Sequence, residues 1–169
     1  MSDPQTAGVH PPEDQMMRCT LSVPAHLDIP LGAYTASLQV VSRGLSQSVA
    51  HVSNVTYVQW MDRLAELHGE SHGCSRSTLA ARGVMWFVAR HEIDYTAETH
   101  PGETLGFATW ASDLRHTSIL RRSVIWKIAS GVAVCSAISR WAHIDLATRK
   151  PVRIDDLQLI ALRHSALRS

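Results

Sequence analysis

The sequence has little of what marks out most functional classes. Its three cysteines, Cys19, Cys74 and Cys135, are widely spaced and form no C-x-x-C pair, which argues against a disulfide framework. Charge of one sign is also lacking. With 16 basic and 15 acidic residues the net charge is +1, so no bulk attraction to nucleic acid or to an anionic membrane surface is expected. No apolar run approaches the length that spans a bilayer. Met1–Gln15 lacks the charged-then-apolar form of a secretory leader, and with unpaired cysteines the expectation is a reduced, cytoplasmic compartment. Carboxylates are missing altogether between Asp28 and Asp62, a gap that bears on catalysis.

A chain of 169 residues that is 45% hydrophobic has enough apolar surface for one domain with a real core. Residues 1–30, rich in proline and polar residues, read as a flexible tail and lead-in in which Cys19–Val23 is the only short strand candidate. The domain proper is expected over 31–156, with an apolar C-terminal extension over 157–169.

The central element is a helix from Asn54 to Gly69–Gly73. Ser53 and Asn54 are good cap residues. Val58, Met61, Ala65 and His68 share one side, and Tyr57, Trp60, Leu64 and Leu67 widen it, so the helix reads as apolar around most of its circumference. Every other long element reads as a strand. Gly32–Val41 precedes the helix, and Val84–Tyr95, Glu103–Leu114, Ile119–Ile128 and Val132–Leu146 follow it. Pro101-Gly102 and Ser130-Gly131 mark turns between them. Ser75–Arg82 is short, and helical or irregular.

One strand, a long buried helix and four further strands is the order of an α+β hotdog fold, a curled antiparallel sheet wrapped around one helix. Five segments add to this. His51-Val52-Ser53-Asn54-Val55-Thr56-Tyr57-Val58-Gln59-Trp60 resembles the H-V-N-N-x-x-Y-x-x-W/Y segment of hotdog acyl-CoA thioesterases of the 4-hydroxybenzoyl-CoA thioesterase type, and equally that of acyl-ACP thioesterases. Arg90–Tyr95 resembles their R-x-x-I-D-Y strand, Pro101-Gly102-Glu103 their P-G-D/E turn, Arg115–Ser118 their R-S-S hairpin, and Lys150-Pro151 their closing K/R-P pair. The resemblance covers about 31–155. It implies an acyl-thioester hydrolase for an acyl-CoA or acyl-carrier-protein substrate, assembled as a homodimer or homotetramer with substrate between subunits. No cofactor or metal is expected.

The resemblance also assigns roles. Free amides near Asn54 and Val55, at the positive end of the helix dipole, would hydrogen-bond the thioester carbonyl as it gains charge. Tyr57, Arg90, Arg115, Thr117 and Ser118 fall on substrate-binding segments. The family's usual aspartate, four residues before the histidine, is Gln47 here. Glutamine can hold a water but cannot take its proton. Two replacements are in reach: His51, whose side chain titrates near neutrality, and Asp62, two turns into the helix. Each has a plain structural alternative, His51 as a packed cap residue and Asp62 as an ion-paired surface carboxylate.

His68, His72 and Cys74 have a spacing that can meet a metal, though no third ligand is convincingly placed and packed histidines are the stronger reading. Arg115, Arg121 and Arg122 are candidates for coenzyme A phosphates, against a merely solubilising role. Trp60, Trp86, Phe87, Trp110, Trp126 and Trp141 are expected in the core or an interface, with the lining of an acyl pocket as the alternative for one of them. Because Gln47 replaces the aspartate, a non-catalytic module that binds acyl thioesters is the first rival. A hotdog hydratase is disfavoured, since no D-x-N-P-x-H segment is present.

Overall fold

A computed structural model of the chain describes residues 16–41, 51–156, 158, 159 and 162. Gln47 and most of the C-terminal extension therefore lie outside the described residues. The elements in chain order are β1 (Met17–Arg18), β2 (Tyr34–Gln39), α1 (Asn54–Glu70), α2 (Arg76–Ala81), β3 (Val84–Tyr95), β4 (Thr104–Leu114), β5 (Ser118–Lys127) and β6 (Ala133–Asp145). The strands form one sheet in the order β1-β2-β4-β5-β6-β3, and every neighbouring pair is antiparallel. With α1 held against it, this curled sheet is the expected hotdog fold.

Helix α1 begins where the sequence marks it. Ser53 is the N-cap, and its side chain accepts from the Thr56 N–H. Tyr57, Trp60, Met61 and Leu64 pack into a core with Leu38 of β2, Phe107 of β4 and Ile125 of β5; Trp60 meets Phe107 edge to face at 5.8 Å. Leu64 is fully buried, so truncating it to alanine would cost about 2–5 kcal/mol. The helix is not apolar all round, however. Its outer face carries Arg63 paired to Glu66 at 2.9 Å and to Glu70 at 3.4 Å, and Val55 is 67% exposed. Apolar residues at both flanks of the stripe made the covered face read wider than it is.

The sheet is covered on its other face as well. Trp110, Ala108 and Trp126 point away from α1 and pack under Leu21, Val23, Leu27 and Ile29. Met17 and Arg18 pair with Ser37 and Ala36, so the sheet starts upstream of Leu31. The short strand sits just before Cys19–Val23 rather than within it. Gly106 leaves no room for a side chain: a Cβ there would lie 2.4 Å from the Trp126 indole. Gly102 adopts a φ of +86°, and its N–H bonds Val40 O at 2.8 Å, as the Pro-Gly turn requires.

Strand β3 pairs with β6 alone among the described residues, which leaves one of its edges without a partner among them. Phe87, Val88 and Tyr95 are each roughly 40% exposed along it. Beyond β6 the chain turns back at Arg149, so that Pro151 bridges Ile144 and the Ile154 N–H bonds His116 O at 2.8 Å.

Candidate active site

The start of α1 is tied to the turn before β4. The Val52 N–H donates to Thr99 O at 2.9 Å, and the Tyr57 hydroxyl donates to Thr99 Oγ1 at 2.8 Å. Burial pushes the Tyr57 phenol above its ordinary value, against the opposing effect of the Thr99 bond, so it stays a neutral donor. The Tyr95 hydroxyl reaches Asn54 O at 3.4 Å. Asn54 and Val55 themselves are exposed, and their amides, the first of the helix, have no carbonyl partner within it. His51 is half-buried beside them, its Nδ1 buried and without a partner among the described residues. His51, Asn54, Val55 and Tyr57 thus form one group at one end of α1.

Asp62 belongs elsewhere. It is eight residues past Asn54, about 12 Å along the axis at roughly 1.5 Å per residue. Its carboxylate receives Arg76 of α2 at 2.5 Å with half the side chain exposed, and Arg76 also reaches Glu66 at 3.5 Å. Asp62 nonetheless stands at the wall of a cavity of about 420 Å³, within the usual range of small-molecule sites. The cavity lies between the C-terminal half of α1 and the sheet, where Trp86, Phe87 and Trp141 line it. His91 of β3 feels the Asp62 charge, which partly offsets the burial that lowers its pKa; its Nδ1 meets Ser139 Oγ at 2.7 Å.

The far side of the cavity is polar and buried. His68, Arg121, Trp141 and Gln158 all line it. Arg121 donates to His68 Nδ1 at 2.9 Å and to Thr109 Oγ1 at 3.2 Å. A guanidinium has no acceptor, so Nδ1 of His68 must accept, which places the neutral ring's proton on Nε2. Burial first, and then the Arg121 charge, hold the His68 pKa down at about 2. A metal role for His68 is displaced by this bond, and no metal-ligand cluster occurs among the described residues.

The arginines divide differently from the expectation. Arg121 is 7% exposed and cannot serve a surface phosphate. The cause is strand alternation: Ile119, Arg121, Ser123 and Ile125 face inward while Arg122 faces out. That period-2 signal was present in the sequence. Arg90 pairs with Glu92 at 2.8 Å and Arg115 with Asp113 at 3.0 Å, both exposed. The turn bearing Arg115, Thr117 and Ser118 lies at the end of β4 opposite the start of α1, so one chain does not bring it to His51 and Asn54. His91 and Gln158 had no motif to announce them, and the spacing that singled out His68 pointed to a metal rather than to Arg121.

The sequence profile of the thioesterase-like superfamily matches residues 46–162. No curated protein matches the chain significantly. A Staphylococcus aureus protein in complex with CoA superposes with a TM-score of 0.76 at 15% identity, over 83% of this chain and 87% of that one. A 1,4-dihydroxy-2-naphthoyl-CoA thioesterase from Synechocystis gives 0.72 at 17% identity, over 78% and 96%. An acyl-ACP thioesterase from Bacteroides thetaiotaomicron gives 0.66 at 20% identity, over 73% and 50%. At these identities the likeness is one of fold.

Proposed function

The chain belongs to the thioesterase-like superfamily, and on that premise we propose that it hydrolyses acyl thioesters, of coenzyme A or of an acyl-carrier protein, as a homodimer or homotetramer. The observation that carries the reading is the position of Asp62 at the wall of the cavity, beside the free edge of β3. The carboxylate takes a proton from the attacking water and returns it to the departing sulfur; as a nucleophile instead, it forms an anhydride that water then hydrolyses. The Asn54 and Val55 amides stabilise the oxygen of the tetrahedral intermediate, the C–S bond breaks, and the thiol leaves.

Within one chain these two parts stand about 12 Å apart along the helix, too far to act on the same carbonyl. A second copy resolves this. Antiparallel pairing of β3 with its twofold mate would set the Tyr95 end of one protomer beside the Met85–Val88 end of the other. The helix start of one subunit would then face Asp62 of its partner. His51 is the alternative base, adjacent to the amides in its own chain. Gln47 would hold a water. On the carrier side, Arg90 and Arg115 with Thr117 and Ser118 offer donors for phosphate, in exchange for their present carboxylate partners.

Free-thiol release from a panel of acyl-CoAs tests the reading. If neither Asp62→Asn nor His51→Ala slows cleavage tenfold, the site assignment is wrong. Gln47 in place of the family's aspartate favours one other reading, a module that binds acyl thioesters without cleaving them. Binding across the panel with no thiol released would establish it.

A further inference from the structure

The polar end of the cavity has a chemistry that hydrolysis alone does not require. Arg121 is enclosed, yet both bonds it makes go to neutral acceptors, His68 Nδ1 and Thr109 Oγ1. No carboxylate among the described residues pairs with it; the acidic residues of the cavity, Asp62 and Glu66, sit at the rim with Arg76 and Arg63. A buried cation with no counter-charge is strongly unfavourable. Lining the same cavity, Arg121 Nε, His68 Nε2, Trp141 Nε1 and the Gln158 side-chain amide are all buried without hydrogen-bond partners among the described residues. The first three are N–H donors, given the His68 tautomer fixed by Arg121. The Arg121 guanidinium also lies 5.9 Å from the Trp141 ring centroid, which holds its plane without neutralising it. The walls leading there are apolar, Ile119, Met85 and Phe87 among them.

An apolar passage that ends on a buried cation and several unpaired donors matches an apolar chain that ends in an anionic acceptor. We infer that the cavity is an acyl subsite for a carboxylate at the far end of the acyl group, so that the preferred substrate is an ω-carboxyacyl thioester, the monothioester of a dicarboxylic acid. The inference rests on the thioesterase reading for where the thioester lies. If the carbonyl sits at Asp62, the polar end begins six residues on at His68, about 9 Å along the helix. That is roughly the span of an extended eight-carbon acyl chain. Gln158 sits on the segment beyond β6, anchored by its own N–H to Asp155 Oδ1 at 2.8 Å, with its side-chain amide on the cavity wall.

The test separates this subsite from hydrolysis. Non-cleavable thioether analogues of suberyl-CoA and octanoyl-CoA, alike except for the terminal carboxylate or methyl, are titrated calorimetrically into the full chain. The carboxylate analogue is expected to bind at least about tenfold tighter, as a charge-assisted pair in an enclosed site would. Gln158→Leu should narrow that preference severalfold with little change in melting temperature, and Arg121→Met should abolish it. Should Arg121→Met fail to fold, Arg121→Lys serves, with a reduced preference expected. Equal binding of the two analogues to the wild type overturns the inference, as does a preference unchanged in Gln158→Leu and in the folded Arg121 variant. Thiol release from the two true thioesters is read in parallel. Selective binding without cleavage keeps the subsite and removes the hydrolase reading; cleavage of both at equal kcat/KM with equal analogue binding does the reverse.

Discussion

Arg121 of β5 and His68 of α1 meet at 2.9 Å in the interior, and the bond fixes which imidazole nitrogen carries the proton. The guanidinium requires a neutral imidazole facing it, and burial makes the same demand. Protonating His68 would place two buried cations side by side.

This pair gives the fold a measurable acid sensitivity. The folded-state pKa of His68 is depressed from 6.5 to about 2, so between those values the unfolded chain binds a proton that the folded chain does not. Stability therefore rises with pH through that window and falls as pH drops below about 6.5. The slope from one such group is at most about 1.4 kcal/mol per pH unit. Burial depresses His91 in the same direction and adds to it. Urea unfolding at several pH values should show a clearly flatter dependence in His68→Gln, whose amide oxygen can still accept from Arg121. An unchanged slope would mean that His68 is not the group responsible.

Gly106→Ala should destabilise the sheet by about 1–3 kcal/mol. The added Cβ meets the Trp126 indole at 2.4 Å, and that ring is itself fixed under Leu21 and Ile29 on the outer face. The indole cannot swing aside without disturbing the N-terminal covering. Chemical denaturation reads the loss directly, and Trp126→Leu in the same chain should remove most of the penalty of Gly106→Ala.

Tyr57→Phe removes the hydroxyl bonded to Thr99 Oγ1 at 2.8 Å and leaves that buried oxygen without its donor. A cost of about 1–2 kcal/mol is expected. Thr99→Val alone should cost a similar amount. The double variant should cost less than the sum, because neither polar atom is then left unpaired.

Where the chain states its own structure, it does so through period. The β-favouring runs such as Val84–Tyr95, the apolar stripe from Tyr57 to His68, and glycines at turns carry the architecture, and each ends where it was expected within a few residues. Met17–Arg18 was not legible because two residues carry no period; only the neighbouring edge of β2 makes them a strand. Arg121 was misread for the opposite reason. Its alternation with Ile119 and Ser123 was visible, but arginine on an inner face contradicts the usual preference for exposure, and composition outweighed position. The ambiguity of Asp62 has a geometric origin. Helical spacing puts it beside Val58 and Ala65, at the margin of the buried stripe, and Arg76, fourteen residues away in sequence, decides which way it turns.

The sharpest expectation concerns which subunit supplies which half of the site. Asp62→Asn should lower kcat about a hundredfold if Asp62 is the base. Asn54→Pro removes one helix-start amide while keeping the helix, since proline suits the first helical position and Ser53, at φ −72° and ψ 151°, already has the extended conformation proline demands before it. Its loss should be about a hundredfold or more, as for a missing oxyanion donor. If the amides and the carboxylate come from different protomers, neither variant is active alone, yet mixing the two restores activity. In a mixed dimer one site receives intact amides and an intact carboxylate, and the other receives neither. With free exchange half of the dimers are mixed, so recovery should approach about a quarter of the wild-type rate. Subunit exchange is verified by mass spectrometry of the intact dimers. Mixed dimers that form without any gain in thiol release would place both groups in one chain, which for Asp62 the 12 Å of intervening helix, by the same estimate of about 1.5 Å per residue, does not permit; His51 would then be left as the base.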